Sequence, residues 1–200
     1  MHEYGPPVPA DETTAWLDAN AVRVLAHPLR SRLLSRLRVA GPATATDLAT
    51  ALSTNTGATS YHLRRLEAVG LVTDTGEGEG KRRLWRATTT SHGWHRSTFA
   101  DDEDAEVALD WLERSYVRQV ATGAEAWLDA VGDWPAEWAD AAGLNDVVVM
   151  VTPAQLRALT EELRAVTERY RAAGGDDPEA RQVKVSLLTH PVDVDRAPGS

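Results

Sequence analysis

Between Pro28 and Gly70 the chain meets helix-breaking and helix-capping residues at such short intervals that only small helices fit. His27-Pro28 opens the stretch, Gly41-Pro42 breaks it, Thr44 and Asn55 can each cap a new helix, and Gly70 supplies a left-handed stop. Helices this short are marginal alone in water, so each must bury an apolar face against the others. The spacing permits it. PLRSRLLSRLRVAG sets Leu29, Leu33, Leu34 and Leu37 at helical intervals, with its arginines on the other face. Leu48 and Leu52 follow the start at Thr44-Ala45-Thr46-Asp47, and Leu63, Leu66 and Val69, with Thr59 a turn earlier, stripe residues 55–70.

The flanks complete a unit. A first helix is expected from about Asp11 to Ala26, carrying Trp16, Leu17, Val22 and Leu25, after a flexible arm over residues 1–10. Beyond Gly70, two β-favouring runs, LVTDT and RRLWRATT, flank the glycine-rich GEGEGK and predict a hairpin with Lys81, Arg82 and Arg83 at its tip. Helix, helix, turn, helix and basic-tipped hairpin is the order of a winged helix-turn-helix, here over residues 11–90, whose last helix enters the major groove of DNA.

The charge distribution agrees with that order. The whole chain carries a net −9, yet residues 20–90 hold eleven basic against five acidic side chains, a net +6, and the remainder holds ten against twenty-five, a net −15. One segment can face phosphates while the rest repels them.

Three stretches, Ala26-His27-Pro28-Leu29-Arg30, Ser60-Tyr61-His62-Leu63-Arg64-Arg65-Leu66 and Gly70-Leu71-Val72, resemble the ArsR-type winged-helix transcriptional regulators of bacteria. Residues 20–90 carry the resemblance, and the longer C-terminal part resembles the larger actinobacterial type with an appended domain. The resemblance implies a dimeric, operator-binding repressor, released in many members by a metal or a small molecule. The chain has no cysteine, so it lacks the thiolates of the family's metalloid site.

The residues themselves allow a division of labour. Thr56, Gly57 and Ala58 make a first turn of little bulk, through which backbone amides can approach a phosphate. Ser60, Tyr61 and Arg64 lie off the leucine stripe and are assigned to base edges. Thr56 and Arg65 are assigned to phosphates, Lys81, Arg82 and Arg83 to the backbone or minor groove, and Arg30 is a further phosphate candidate. His62, beside the stripe, is expected to be partly packed.

The rest of the chain is less specific. Residues 91–103, with His92 and His95, predict a polar linker, and neither histidine is assigned to a metal. A long helix is expected from about Asp101 to Val131. VVVMV at 147–151, a helix capped by Thr152-Pro153-Ala154-Gln155 and VKVSLL at 183–188 then predict strand, helix, strand, before a flexible tail at 193–200. The expected fold is therefore mainly α with a small β component: an N-terminal winged helix-turn-helix, then residues 104–192 as a long dimerisation helix and a strand-helix-strand unit. Five of the seven tryptophans fall between 91 and 140. Trp111, Trp127, Trp134 and Trp138 either line a pocket for a small organic effector or form a core or dimer seam.

The expected function is sequence-specific transcriptional regulation, as a repressor, by a homodimer on a pseudo-palindromic double-stranded operator. The alternative is a winged-helix module that binds a protein and no DNA. With no glycine-rich phosphate loop and no nucleophile beside a base, an enzyme is not expected, nor is a cofactor. No run of eighteen apolar residues and no basic-apolar leader occurs, which predicts a cytoplasmic location and no membrane partner.

Overall fold

The computed structural model describes residues 14–78, 80, 82–175 and 177–195, so the expected arm at 1–10, the end of the tail and Lys81 lie outside the described residues. Among the described residues the elements are β1 (Thr14–Trp16), α1 (Ala19–Leu25), α2 (Pro28–Ala40), β2 (Ala43–Thr44), α3 (Ala45–Ala51), α4 (Thr56–Glu67), β3 (Val72–Asp74), β4 (Leu84–Ala87), β5 (Ser91–Gly93), α5 (Glu103–Ala130), α6 (Ala136–Ala141) and α7 (Pro153–Arg169). The chain divides into two units, residues 1–121 and 122–200. Its mainly helical character with small sheets is the expected one.

In the first unit the leucine faces meet as the spacing requires. Leu25, Leu33, Leu34, Leu48, Leu63 and Leu66 are all fully buried and share one core with Trp85 of β4. The caps are those expected. Thr44 and Asp47 form a reciprocal capping box on α3, and Asn55 accepts the Ala58 amide at 2.8 Å on α4. At the end of α4, Gly70 adopts φ +72°, and the Gly70 and Leu71 amides donate back to Glu67 and Leu66 at 2.9 and 3.1 Å. This left-handed turn drops Leu71 into the core and aims the chain into β3. β4 lies between β2 and β3, antiparallel to both.

Two expectations for this unit are corrected. The first helix begins at Ala19, where Asp18 caps it, and residues 14–16 instead form β1. β1 pairs in parallel with β5, Thr14 opposite Ser91 and Trp16 opposite Gly93. Residues 91–103, expected as a polar linker, hold β5 and a 3-10 turn at Arg96–Phe99 whose Phe99 is fully buried. A strand is defined by its partner, and this partner lies far away in the sequence.

β5 also carries a half-buried histidine, His92, held between two other elements. Arg38 of α2 donates to the Thr89 and Ser91 carbonyls at 2.9 and 3.1 Å and to His92 Nδ1. Because Nδ1 accepts, the neutral ring carries its proton on Nε2, which meets Tyr116 Oη of α5 at 2.7 Å. Burial, and then the Arg38 guanidinium, hold the His92 pKa down to about 3. Burial likewise lowers Arg38 to about 10 and raises Tyr116 to about 12. Trp94 stacks on Tyr116 and donates from Nε1 to Glu113 at 3.0 Å. The chain of contacts ties α2, the strand after the hairpin and α5 together.

In the second unit no described side chain is fully buried. Its helix α7 has the expected start, with Thr152 and Gln155 capping one another and Pro153 in the first turn. The strands expected at 147–151 and 183–188 are corrected: both stretches are irregular, and no backbone hydrogen bond joins either to another segment among the described residues. β-Propensity expresses fit to a pleated, half-buried surface, and no described strand pairs with these residues.

The half-buried, neutral His92 makes stability depend on pH. Its folded pKa lies below the unfolded value of 6.5, so between the two the unfolded chain binds a proton that the folded chain does not. The contribution is complete above that value and is lost as pH falls. Urea unfolding should show native protein losing about 1.4 kcal/mol more than His92→Gln between pH 7.5 and 5.5. A difference that stays constant with pH would contradict a neutral His92.

Candidate nucleic-acid interface

Burial of Thr59, Leu63 and Leu66 fixes which side of α4 is left to solvent. On that side stand Thr56, Gly57, Tyr61, Arg64 and Arg65, all exposed, with Tyr61 at 57%. Ser60 is half-buried at the edge. No Asp or Glu occurs between Asp47 and Glu67, so these face residues include no carboxylate and the one carboxylate of α4 is its last residue, Glu67, which lies 3.9 Å from Arg83. At its N-terminus Asn55 occupies the Ala58 amide through its side chain and the Thr59 amide through its carbonyl. The Thr56 and Gly57 amides have no acceptor among the described residues and point out of the helix start, where an anion is favoured.

Toward the other end of the face, aromatic rings gather. His62 is half-buried, its ring 4.4 Å from that of His27 and 5.1 Å edge-on from that of Tyr61. Its Nδ1 is shielded from solvent and has no hydrogen-bond partner among the described residues. Burial lowers the pKa of both histidines, and nearby Arg30 lowers each further. His62 is thus a packed residue, as its place beside the stripe implies. His27 has a part that the sequence did not signal beyond a helix boundary: its Nδ1 accepts the Leu29 amide at 3.2 Å and caps α2.

The arginines divide by environment. Arg64 and Arg65 are open. Arg30 is half-buried, its Nε donating to the Val24 carbonyl, so its reach outward is shortened. In the hairpin, Arg83 turns back toward the base: it lies 3.4 Å from Asp74 and 3.9 Å from Glu67, and its guanidinium sits 5.7 Å over the Trp85 ring. Arg82 is exposed, and its charge is felt by Asp47 at the start of α3. The loop between β3 and β4 folds tightly enough that a Cβ on Gly78 would stand 1.8 Å from the Arg82 carbonyl oxygen, which no other residue type tolerates. The geometry brings an exposed α4 face and a cationic hairpin into one unit around one core.

Against this arrangement, a family model described as a helix-turn-helix domain matches residues 25–75. Residues 25–75 form a helix-turn-helix domain. The match runs from the end of α1 through α2, α3 and α4 into the residues after β3, and with the fold it supports a DNA-binding regulator. No curated protein matches the chain. Among the described residues no helix of the chain is long and apolar enough to cross a membrane, and no group of three or more His, Asp or Glu side chains is placed to hold a metal ion.

The four tryptophans do not all fall in the same unit. Trp111 of α5 packs against the core of the first. Trp127, Trp134 and Trp138 form an edge-to-face series in the second, with centroids 5.4 and 5.8 Å apart, and Trp134 is 37% exposed.

The cap that sets the start of α4 can be tested by itself. Asn55→Ala should lower unfolding stability by about 1 kcal/mol and Asn55→Gly by only a few tenths, since glycine leaves the orphan amides open to water. Denaturant titrations of the two variants would check that order.

Proposed function

We propose that this chain is a transcriptional regulator that reads a DNA operator with α4. The observation that carries the proposal is the exposed, carboxylate-free face of Thr56, Gly57, Tyr61, Arg64 and Arg65 on a helix whose opposite side is fully buried. Arg64 donates to a guanine edge, with Tyr61 and Ser60 on neighbouring bases. Thr56, the Gly57 amide and Arg65 hold phosphates, and so position the helix without reading sequence. In the wing, Lys81 and Arg82 follow the backbone, and Arg83 braces the hairpin from its place over Trp85 while lending charge. Arg30 contributes long-range attraction.

The reading extends to a homodimeric repressor similar to the ArsR type. Two α4 helices about 34 Å apart would match half-sites one helical turn apart, which makes the operator pseudo-palindromic. The second unit supplies dimerisation, and the surface of Trp127, Trp134 and Trp138 suits a flat organic effector. Such a ligand would quench tryptophan fluorescence and weaken operator binding together.

Selection of bound fragments from genomic DNA supplies the operator on which the proposal is tested. On that operator Arg64→Ala should cost about 1 to 3 kcal/mol and relax preference at one base position. Arg82→Ala should weaken specific and random DNA alike and flatten the salt dependence. Absence of any bound fragment at low salt would defeat the reading in favour of a protein-binding winged helix. Equal losses on specific and random DNA for both variants would defeat the assignment of roles.

A further inference from the structure

The second unit presents an energetic problem that its own residues do not solve. Val147 to Val151 is a run of five consecutive apolar residues, with Val147 79% and Met150 100% exposed. Val183, Val185 and Leu187 alternate with Lys184 and Ser186, and all three apolar side chains are at least 45% exposed. Neither stretch places a backbone N–H or C=O in a backbone hydrogen bond to another segment among the described residues. Continuous apolar character is that of a strand covered on both faces, and alternation that of a strand covered on one. The apolar side of α7, with Leu156 and Leu159 only half-buried, is similarly under-covered.

We propose that 147–151 and 183–188 are strands whose ladder partners come from a second copy of this chain, so that the two chains complete one sheet. This deepens the dimeric part of the proposed function and requires no DNA. Three observations favour a second copy over another occupant. All nine apolar residues of the two stretches are exposed, Val147 to Val151 by 38 to 100% and Val183, Val185, Leu187 and Leu188 by 45 to 65%. Covering them would remove an area on the order of the 800 Å² per partner that a standard stable interface buries. A small ligand or a single peptide would leave much of that open.

The charges also fit self-association. Residues 121–179 carry twelve acidic and four basic side chains, whereas 180–192 carry no acidic residue and include Arg181 and Lys184. The cationic strand of one chain therefore meets an acidic surface when its partner is an identical chain. The longest acid-free stretch within 121–179, residues 147–160, includes the apolar run, so two net-negative chains can approach there with least repulsion. Finally, a two-fold pairing presents the same open edge twice, and backbone edges are self-complementary without side-chain specificity.

Light scattering with hydrogen exchange on the full chain tests this directly. At micromolar concentration the mass should be that of two chains, and amides in 147–151 and 183–188 should exchange about a hundredfold or more slowly than unstructured peptide. Val149→Asp and, separately, Val185→Pro should yield the single-chain mass and lose protection in both stretches, while amides of α2 and α4 keep theirs. A single-chain mass with fast exchange in both stretches would overturn the proposal, and so would a single-chain mass with protection, which would place the ladder within one chain. Two-chain mass with unprotected stretches, or both variants remaining two-chain, would equally overturn it. Loss of DNA binding alone bears on the regulator reading and leaves this result untouched.

Discussion

Burial of Leu63 and Leu66 against the leucines of α2 and α3 is the contact on which the rest depends. It decides which side of α4 is inside, and therefore which side is offered to a partner. A rotation of the helix by one residue would put an arginine where a leucine now sits in an apolar core, at a cost of several kcal/mol, a large part of the stability of a domain this size. The Schellman turn at Gly70 holds that setting from the other end, because Leu71 can enter the same core only if the helix stops where it does. The exposed row of Tyr61, Arg64 and Arg65 is thus a consequence of packing as much as of composition.

A half-buried polar cluster ties the helix-turn-helix domain to β5 and α5. Arg38, His92 and Tyr116 come from α2, β5 and α5, and each satisfies groups of the others that burial would otherwise leave unpaired. A guanidinium beside an imidazole is stable here because the imidazole stays neutral. The arrangement fixes the start of α5 on the first unit with polar bonds, which specify geometry more narrowly than apolar contact does.

What was legible in the sequence was local. The limits of α2, α3 and α4, the caps Thr44, Asn55 and Thr152 and the stop at Gly70 follow from residue types within one helical turn of each other. What was not legible depends on partners far away in the chain. Residues 14–16 carry a helix-compatible pattern, and only Ser91–Gly93 turns them into β1. His92 was a linker residue until Arg38 and Tyr116 enclosed it. Arg83 was one of three tip cations until Asp74 and Trp85 drew it inward. The runs at 147–151 and 183–188 have the composition of strands, but composition does not say which chain carries the partner. For the candidate interface, Tyr61, Arg64 and Arg65 were readable from the helical period, while the capping by His27 was not.

The central claim is that a chain of net −9 binds DNA through one locally cationic, carboxylate-free face. The most direct test is the affinity for a selected operator as a function of salt. Each phosphate contact contributes a slope of about −0.9 in log K against log salt, so the claim predicts about −4 or steeper. It also predicts that Arg64→Ala and Arg65→Ala make the slope shallower. A slope near zero, or binding that strengthens with salt, would contradict the account.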